Sequence, residues 1–282
     1  MAQLDTDVFV RLERFYDAVP RDAAVAEDIG EFVLFVRQGE GWPYYARPRL
    51  GSDTPSASDV TAVRRRQRDL GEPEAFEWVH ETTPDLLAVA RSAGLDVLLA
   101  PLMLLERAAL VPDLPLPDAT IRILDPASPS FAADLSASRA VAHLGFGNPP
   151  SATTAGGVPG PAERDAAPPL AEAMIEAQTK RYASGRFTGA VAESPADGIL
   201  CSGMVQQVRD VAEIVGVATL PSARGRGYAS QLTAALARQA LENGAELVFL
   251  SAGDDDVARL YSKVGFRRIG TACIAAPAAA VL

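Results

Sequence analysis

The sequence predicts an α/β fold built as two halves of similar order, and three observations carry that expectation. Short apolar, β-branched runs alternate with amphipathic helical stretches along all 282 residues, the pattern of mixed sheets covered by helices. The order strand, helix, strand, helix, Gly-apolar pair, strand occurs twice, over 32–105 and over 213–274. Between the two lies a proline-stiffened stretch, Val111-Pro112-Asp113-Leu114-Pro115-Leu116-Pro117. A first domain at 1–112, a linker at 113–119 and a second domain at 120–282 follow.

From the N-terminus, Val8, Phe9, Leu12, Phe15, Tyr16 and Val19 share one helical face over 4–19, which Pro20 closes. A strand is expected at 32–36, then an aromatic, proline-rich loop at 41–48 that includes Trp42. A helix at 57–70 ends on Gly71, and its Arg64, Arg65, Arg66 and Arg68 read as a solvated face with acidic partners. Strand 75–80, helix 84–93 and strand 96–105 complete the first half. In the second, a strand at 121–124 and a helix at 130–144 precede Gly145–Pro169, a run without periodicity that is expected to shape access to a site. A helix at 170–182 leads to strands 187–191, 199–208 and 211–219, the last two joined by the tight connection Arg209-Asp210. Helix 227–243, strand 246–251, helix 255–264 and strand 267–274 close the chain.

A hydrophobic fraction of 48% and a charged fraction of 22% permit a full core. The net charge of −10 argues against nucleic acid and anionic membranes as partners, since both require a basic face. No apolar run approaches the ~20 residues of a membrane-spanning helix. The N-terminus MAQLDTDVFV carries acids where a secretory leader has bases, so a cytoplasmic setting is expected, with Cys201 and Cys273 packed as small apolar groups. Asp254, Asp255 and Asp256 are explained by a helix start, and no second ligand cluster points to a metal. His80 and His143 are the only histidines and fall in different halves with no Ser or Cys motif beside them, which disfavours a hydrolase triad.

The chemistry concentrates in Glu213–Ala229, EIVGVATLPSARGRGYA. A buried strand ends at Pro221, and the turn Ala223-Arg224-Gly225-Arg226-Gly227-Tyr228-Ala229 precedes Leu232, Leu236 and Ala240 at helical spacing. That turn opens a helix N-terminus, where four N–H groups lack intrahelical partners and the macrodipole is positive. Gly225 and Gly227 let an anion approach the backbone, and Arg224 and Arg226 add positive charge. The Gly-Lys-Ser/Thr of a P-loop is missing, and strand 247–250 runs into Ser251-Ala252-Gly253 rather than the acid of a dinucleotide fingerprint.

At these residues the sequence resembles the GNAT superfamily, the Gcn5-related N-acetyltransferases, whose signature Arg/Gln-x-x-Gly-x-Gly/Ala is met by Arg224, Gly227 and Ala229. The family's later segment, a strand, an Asn, a short helix with Leu-Tyr and then Gly-Phe, is met by Glu246–Ser251, Leu260-Tyr261 and Gly265-Phe266, with Asp254 in place of the Asn. The resemblance spans Thr120 to Thr271 and is specific from Glu213 onward. It implies two GNAT-like domains, each a mixed, centrally splayed β-sheet flanked by helices. The first is a degenerate copy without the phosphate turn, in which Ala90 stands opposite Tyr261. It further implies acetyl-CoA as cosubstrate, held by the backbone of Val217, Ala218 and Thr219 and by the turn of Arg224, Gly225, Arg226, Gly227, Tyr228 and Ala229, with Asp254 beside the pantetheine arm and no metal. The acceptor would be a small-molecule or peptide primary amine that attacks directly, with Glu213 as general base and Tyr261 protonating the departing thiolate, in a monomer or homodimer. Glu213 as a solvent-exposed strand-edge residue, Tyr261 as a core tyrosine, and the whole protein as a non-catalytic acyl-CoA sensor are the alternatives.

Overall fold

A computed structural model describes residues 2–39, 41, 43–149 and 157–278; Trp42 and residues 150–156 of the expected loops lie outside the described residues. The element order is α1 (Ala2–Ala18), β1 (Ala24–Ile29), β2 (Phe32–Arg37), β3 (Arg47–Pro48), α2 (Ala57–Asp69), β4 (Phe76–Val79), α3 (Leu86–Ser92) and β5 (Leu95–Leu105). It continues with β6 (Thr120–Ile123), α4 (Phe131–Gly147), α5 (Pro161–Asp165), α6 (Glu172–Ala183), β7 (Phe187–Ser194), β8 (Gly198–Val208) and β9 (Val211–Thr219). The chain closes with α7 (Tyr228–Glu242), β10 (Leu247–Ser251), α8 (Asp255–Ser262) and β11 (Phe266–Pro277). The fold is mixed α/β. Three elements escaped the sequence pattern: β1, whose AVAEDI lacks alternation and exists through its antiparallel ladder to β2, the two-residue β3 at the end of the expected loop 41–48, and α5, a single short helix inside the later expected loop.

The chain divides into two compact units, one of residues 1–103, 251–258 and 268–282, the other of 104–250 and 259–267. In the first, β1, β2 and β3 form a meander, and β4 pairs antiparallel with β11 from Val79↔Ala272 to Phe76↔Ala275. Phe32, Leu34, Val60, Val63, Phe76, Trp78, Leu86, Leu95 and Cys273 fill its core. Helix α2 starts at a capping box in which Ser56 and Asp59 satisfy each other's backbone N–H groups. Three of its four arginines have the expected acidic partners: Arg66 holds Glu27 through two bonds of 2.8 and 2.9 Å, while Arg64 and Arg68 share Glu74. Deeper in, Arg47 pairs with Glu77 and lies 3.9 Å over the Tyr16 ring.

In the second unit the strand order is β10-β9-β8-β7-β6, parallel between β10 and β9 and antiparallel thereafter. Helices α7 and α4 lie on opposite faces, because neighbouring strand residues point to opposite sides. A Cβ on Gly203 would stand 2.9 Å from Leu232 of α7, whereas the Ser202 hydroxyl donates to the Ser138 carbonyl of α4 at 3.0 Å. Phe131, Tyr182 and Phe187 stack edge to face, and Gly189 is required beneath them since a Cβ there would meet the Tyr182 hydroxyl at 2.6 Å.

Arg122 on β6 locks α4 to the sheet through two bonds to Asp134, 2.9 and 3.0 Å, and one to Glu193 at 2.9 Å. Burial pulls the Asp134 carboxyl up, but hydrogen bonds from Arg122 and Ser130 outweigh it and hold the group below the ordinary carboxylate range. A carboxylate whose folded pKa is depressed adds stability above its unfolded value and loses it as pH falls through the folded one. Asp134→Ala is therefore expected to destabilise by about 1–3 kcal/mol at neutral pH, with the gap closing in acid. Urea unfolding of both proteins near pH 7 and near pH 3 checks this; a gap independent of pH would assign the loss to packing.

Candidate active site

Strand β9 carries the site because its two edges behave differently. Toward β10 the parallel ladder runs from Val211↔Leu247 to Glu213↔Phe249 and stops, leaving Ile214–Thr219 without a β10 partner in that ladder. Toward β8 the register passes from Met204↔Val215 to Ser202↔Ala218, so Gly216 and Val217 together oppose Gly203. This is a β-bulge, which bends the strand and re-aims its backbone. Gly216 has φ 65°, a value glycine adopts without strain, and Gly203 leaves room for Val217, which a Cβ would meet at 2.9 Å. The expected coenzyme-binding residues Val217, Ala218 and Thr219 thus lie at the bulged end of β9, beyond the β10 ladder, with Ala218 and Thr219 still paired to β8.

That strand feeds the turn. Pro221–Ala223 is a short 3-10 segment, Gly225 has φ 78°, and Gly227 at φ 84° is the N-cap of α7, with no capping side chain taking up the first N–H groups. A Cβ on Gly225 would meet nothing within 4 Å, and one on Gly227 only Leu116 at 4.0 Å. Open space before free helix-terminal donors fits a phosphate group. Arg224 donates to the Gly145 carbonyl at 2.7 Å and ties the turn to the last turn of α4. Arg226 pairs with Asp118 at 3.3 Å, and the buried Tyr228 donates its phenol proton to the same carboxylate at 2.8 Å. Ala229 follows within the first turn of α7.

The last turn of α4 and the residues just before α5 meet the same strand and turn. A Cβ on Gly145 would stand 3.0 Å from the Ala218 Cβ and 3.2 Å from the Thr219 carbonyl oxygen, and farther on Ser222 donates its backbone N–H to the Pro159 carbonyl at 3.1 Å. Buried Arg164 on α5 anchors the return, donating to the carbonyls of Asp197 and Ile199.

Glu213 is 9% exposed, which removes the exposed strand-edge alternative. Tyr261 on α8 is 8% exposed with its ring edge-on to Phe266 at 6.2 Å. Burial, and then the nearby Cys201, push its phenol well above the ordinary tyrosine range. Cys201 pairs with Thr219 across the ladder and accepts a hydrogen bond from the Thr219 hydroxyl at 3.3 Å, and burial pushes its thiol up to about 12. Asp254 accepts from the Val257 N–H at 2.8 Å, serving as the cap of α8. Cys201 and Asp118 are the neighbours sequence reasoning missed, whereas Gly145 opened the run expected to shape access; only the strand register could have flagged Cys201, and nothing local marked Asp118. A groove of about 430 Å³ runs along α7, lined by Leu114, Leu116, Ile121, Ile123, Ala235 and Arg238 among others; none of its lining residues is on β9. Among the described residues no group of three or more His, Cys, Asp or Glu is placed to hold a metal, and no helix is long and apolar enough to cross a membrane.

Residues 189–275 match the family described as FR47-like protein. No curated protein matches as a relative. Among solved structures, a GCN5-related N-acetyltransferase from Kribbella flavida is 21% identical, with a TM-score of 0.69 over 96% of each chain. A GCN5-related N-acetyltransferase-like protein from Streptococcus suis is 12% identical, with a TM-score of 0.54 over 96% of this chain and 98% of that one. A putative acetyltransferase of the GNAT family from Novosphingobium aromaticivorans is 17% identical, with a TM-score of 0.52 over 90% of each. The bulged β9, the glycine turn at α7 and these likenesses agree: the chain has the GNAT fold, and its residues 189–275 carry the sequence pattern of the FR47-like family.

Proposed function

We propose that the protein transfers an acetyl group from acetyl-CoA to a primary amine. The observation that carries this reading is the continuity of the bulged β9 end with a left-handed glycine turn at the start of α7. One presents backbone donors for a thioester carbonyl and the other presents them for a pyrophosphate. The chemistry is assigned to residues 120–282, with residues 1–112 as the half that lacks the turn.

In this reading the N–H groups of α7's first turn hold the pyrophosphate, with Arg224, Arg226, Tyr228 and Ala229 around them, and the backbone of Val217–Thr219 aligns the pantetheine arm. Backbone donors at the bulge stabilise the oxyanion as the amine nitrogen attacks the thioester carbon. Glu213 takes the ammonium proton directly or through water, since a free amine of pKa ~10.4 is protonated at neutral pH. The C–S bond then breaks, the thiolate takes a proton from Tyr261, and the second proton leaving the new amide nitrogen passes through water to the phenolate and restores the phenol, whose raised pKa keeps it protonated throughout the neutral range. Direct attack is favoured over an acyl-cysteine route, since burial pushes the Cys201 thiol up to about 12 and disfavours the thiolate nucleophile.

Thiol release from acetyl-CoA in the presence of an amine panel, covering amino acids, polyamines and peptide N-termini, tests the proposal. Amine-dependent thiol release above the hydrolysis background is the expected result. Binding of acetyl-CoA with no amine-dependent release would make the protein an acyl-CoA-binding module instead.

A further inference from the structure

The linker after the first half is fastened along α7 by the helix's own side chains. Arg238 binds the Asp113 carboxylate and the Val111 carbonyl, and the Gln231 side-chain carbonyl accepts from the Leu114 N–H at 3.0 Å. Leu116 comes within 4.0 Å of where a Gly227 Cβ would be, and Asp118 reaches Arg226 and Tyr228 on either side of that glycine. A carboxylate therefore stands at the positive end of α7, the end that the acetyl-CoA reading gives to the pyrophosphate.

We infer that Asp118 is a built-in counter-charge that competes with the coenzyme's phosphates for Arg226 and so sets coenzyme affinity. The inference rests on the acetyl-CoA reading above. The Arg226–Asp118 contact is loose at 3.3 Å, with both side chains close to half exposed, so it opens at little cost. The Tyr228 phenol is different, being part of a buried side chain that donates to Asp118 at 2.8 Å and holds the carboxylate in place. When a pyrophosphate arrives, it meets a cation already neutralised and one like charge beside it. Arg224, whose partner is the uncharged Gly145 carbonyl, keeps its full charge for the ligand.

Asp118→Asn removes the charge and keeps a carbonyl oxygen for Tyr228. At low salt it is expected to tighten acetyl-CoA binding by ~3- to 10-fold, an advantage that shrinks at about 0.5 M salt as the charges are screened. S-acetylpantetheine, which has no phosphate, should bind both proteins equally. Unchanged or weakened acetyl-CoA binding in Asp118→Asn would overturn the inference and make Asp118 a support for Arg226. Should the wild type take up no acetyl-CoA, the functional reading fails on its own, and titration with inorganic pyrophosphate still decides: tighter in the variant upholds the counter-charge, equal overturns it. Thermal melts verify folding, and Asp118→Ser repeats the comparison if Asn does not fold.

Discussion

Valine in place of Gly227 should abolish acetyl-CoA binding while leaving the protein folded. The native φ of 84° at this N-cap is left-handed, where an L-residue costs about 1–2 kcal/mol and a β-branched one is hardest to place. Two responses are open to the chain. Either it keeps the turn and places valine methyls in the open space before the donors, or it relaxes the backbone and turns those donors away. Each N–H bond to a charged group contributes about 1.5–3 kcal/mol, so losing two of them weakens binding by at least ~100-fold. The strain itself should lower the melting temperature by only a few degrees in a chain of this length. Calorimetric titration with acetyl-CoA, alongside a thermal melt, measures both. Full affinity in the variant would move the phosphate site away from this turn.

The second large effect is expected at Tyr261. Phenylalanine keeps the ring that packs edge-on against Phe266 and removes only the proton donor. If the phenol protonates the thiolate, kcat falls by at least ~10-fold with little change in acetyl-CoA affinity, since a group acting in the transition state affects rate more than ground-state binding. The raised phenol pKa adds a pH signature. Wild-type activity should not decline on account of this residue until pH passes the ordinary tyrosine value near 10, because the folded phenol holds its proton longer than a free one. Above that pH the unfolded chain releases the proton first, so folding stability falls, and Tyr261→Phe should remove that part of the alkaline loss. A variant with full kcat and a lower melting temperature would make Tyr261 a core residue, the proton then coming from solvent or from the attacking ammonium.

The parts of this molecule legible in its sequence are those whose cause is local. Gly225 and Gly227 at their spacing before Leu232, Leu236 and Ala240 mark a turn into a helix whatever surrounds them, and the structure has that helix at Tyr228–Glu242. The β-branched run before Pro221 is likewise a strand from Val211 to Thr219, and three of the four arginines of α2 have the acidic partners expected of a solvated face. Strand β1 and helix α5 were not legible, because neither has enough periodicity to stand out and each is held by groups outside itself, the adjacent strand β2 across a tight hairpin for one and the Asp197 and Ile199 carbonyls, distant in sequence, for the other.

What only the tertiary structure decided is register and approach, which no window of adjacent residues encodes. The same β9 sequence could pair evenly with β8, but in the fold the register shifts opposite Gly203, where a Cβ would meet Leu232 of α7 and Val217. Arg224 and Arg226 read alike in the sequence, yet one is bound to a neutral carbonyl of α4 and the other to a carboxylate of the linker. Cys201, an unremarkable apolar position, lies across from Thr219 and near Tyr261 because a ladder and a helix converge there. Local propensity sets which element forms; long-range packing sets which side chains meet.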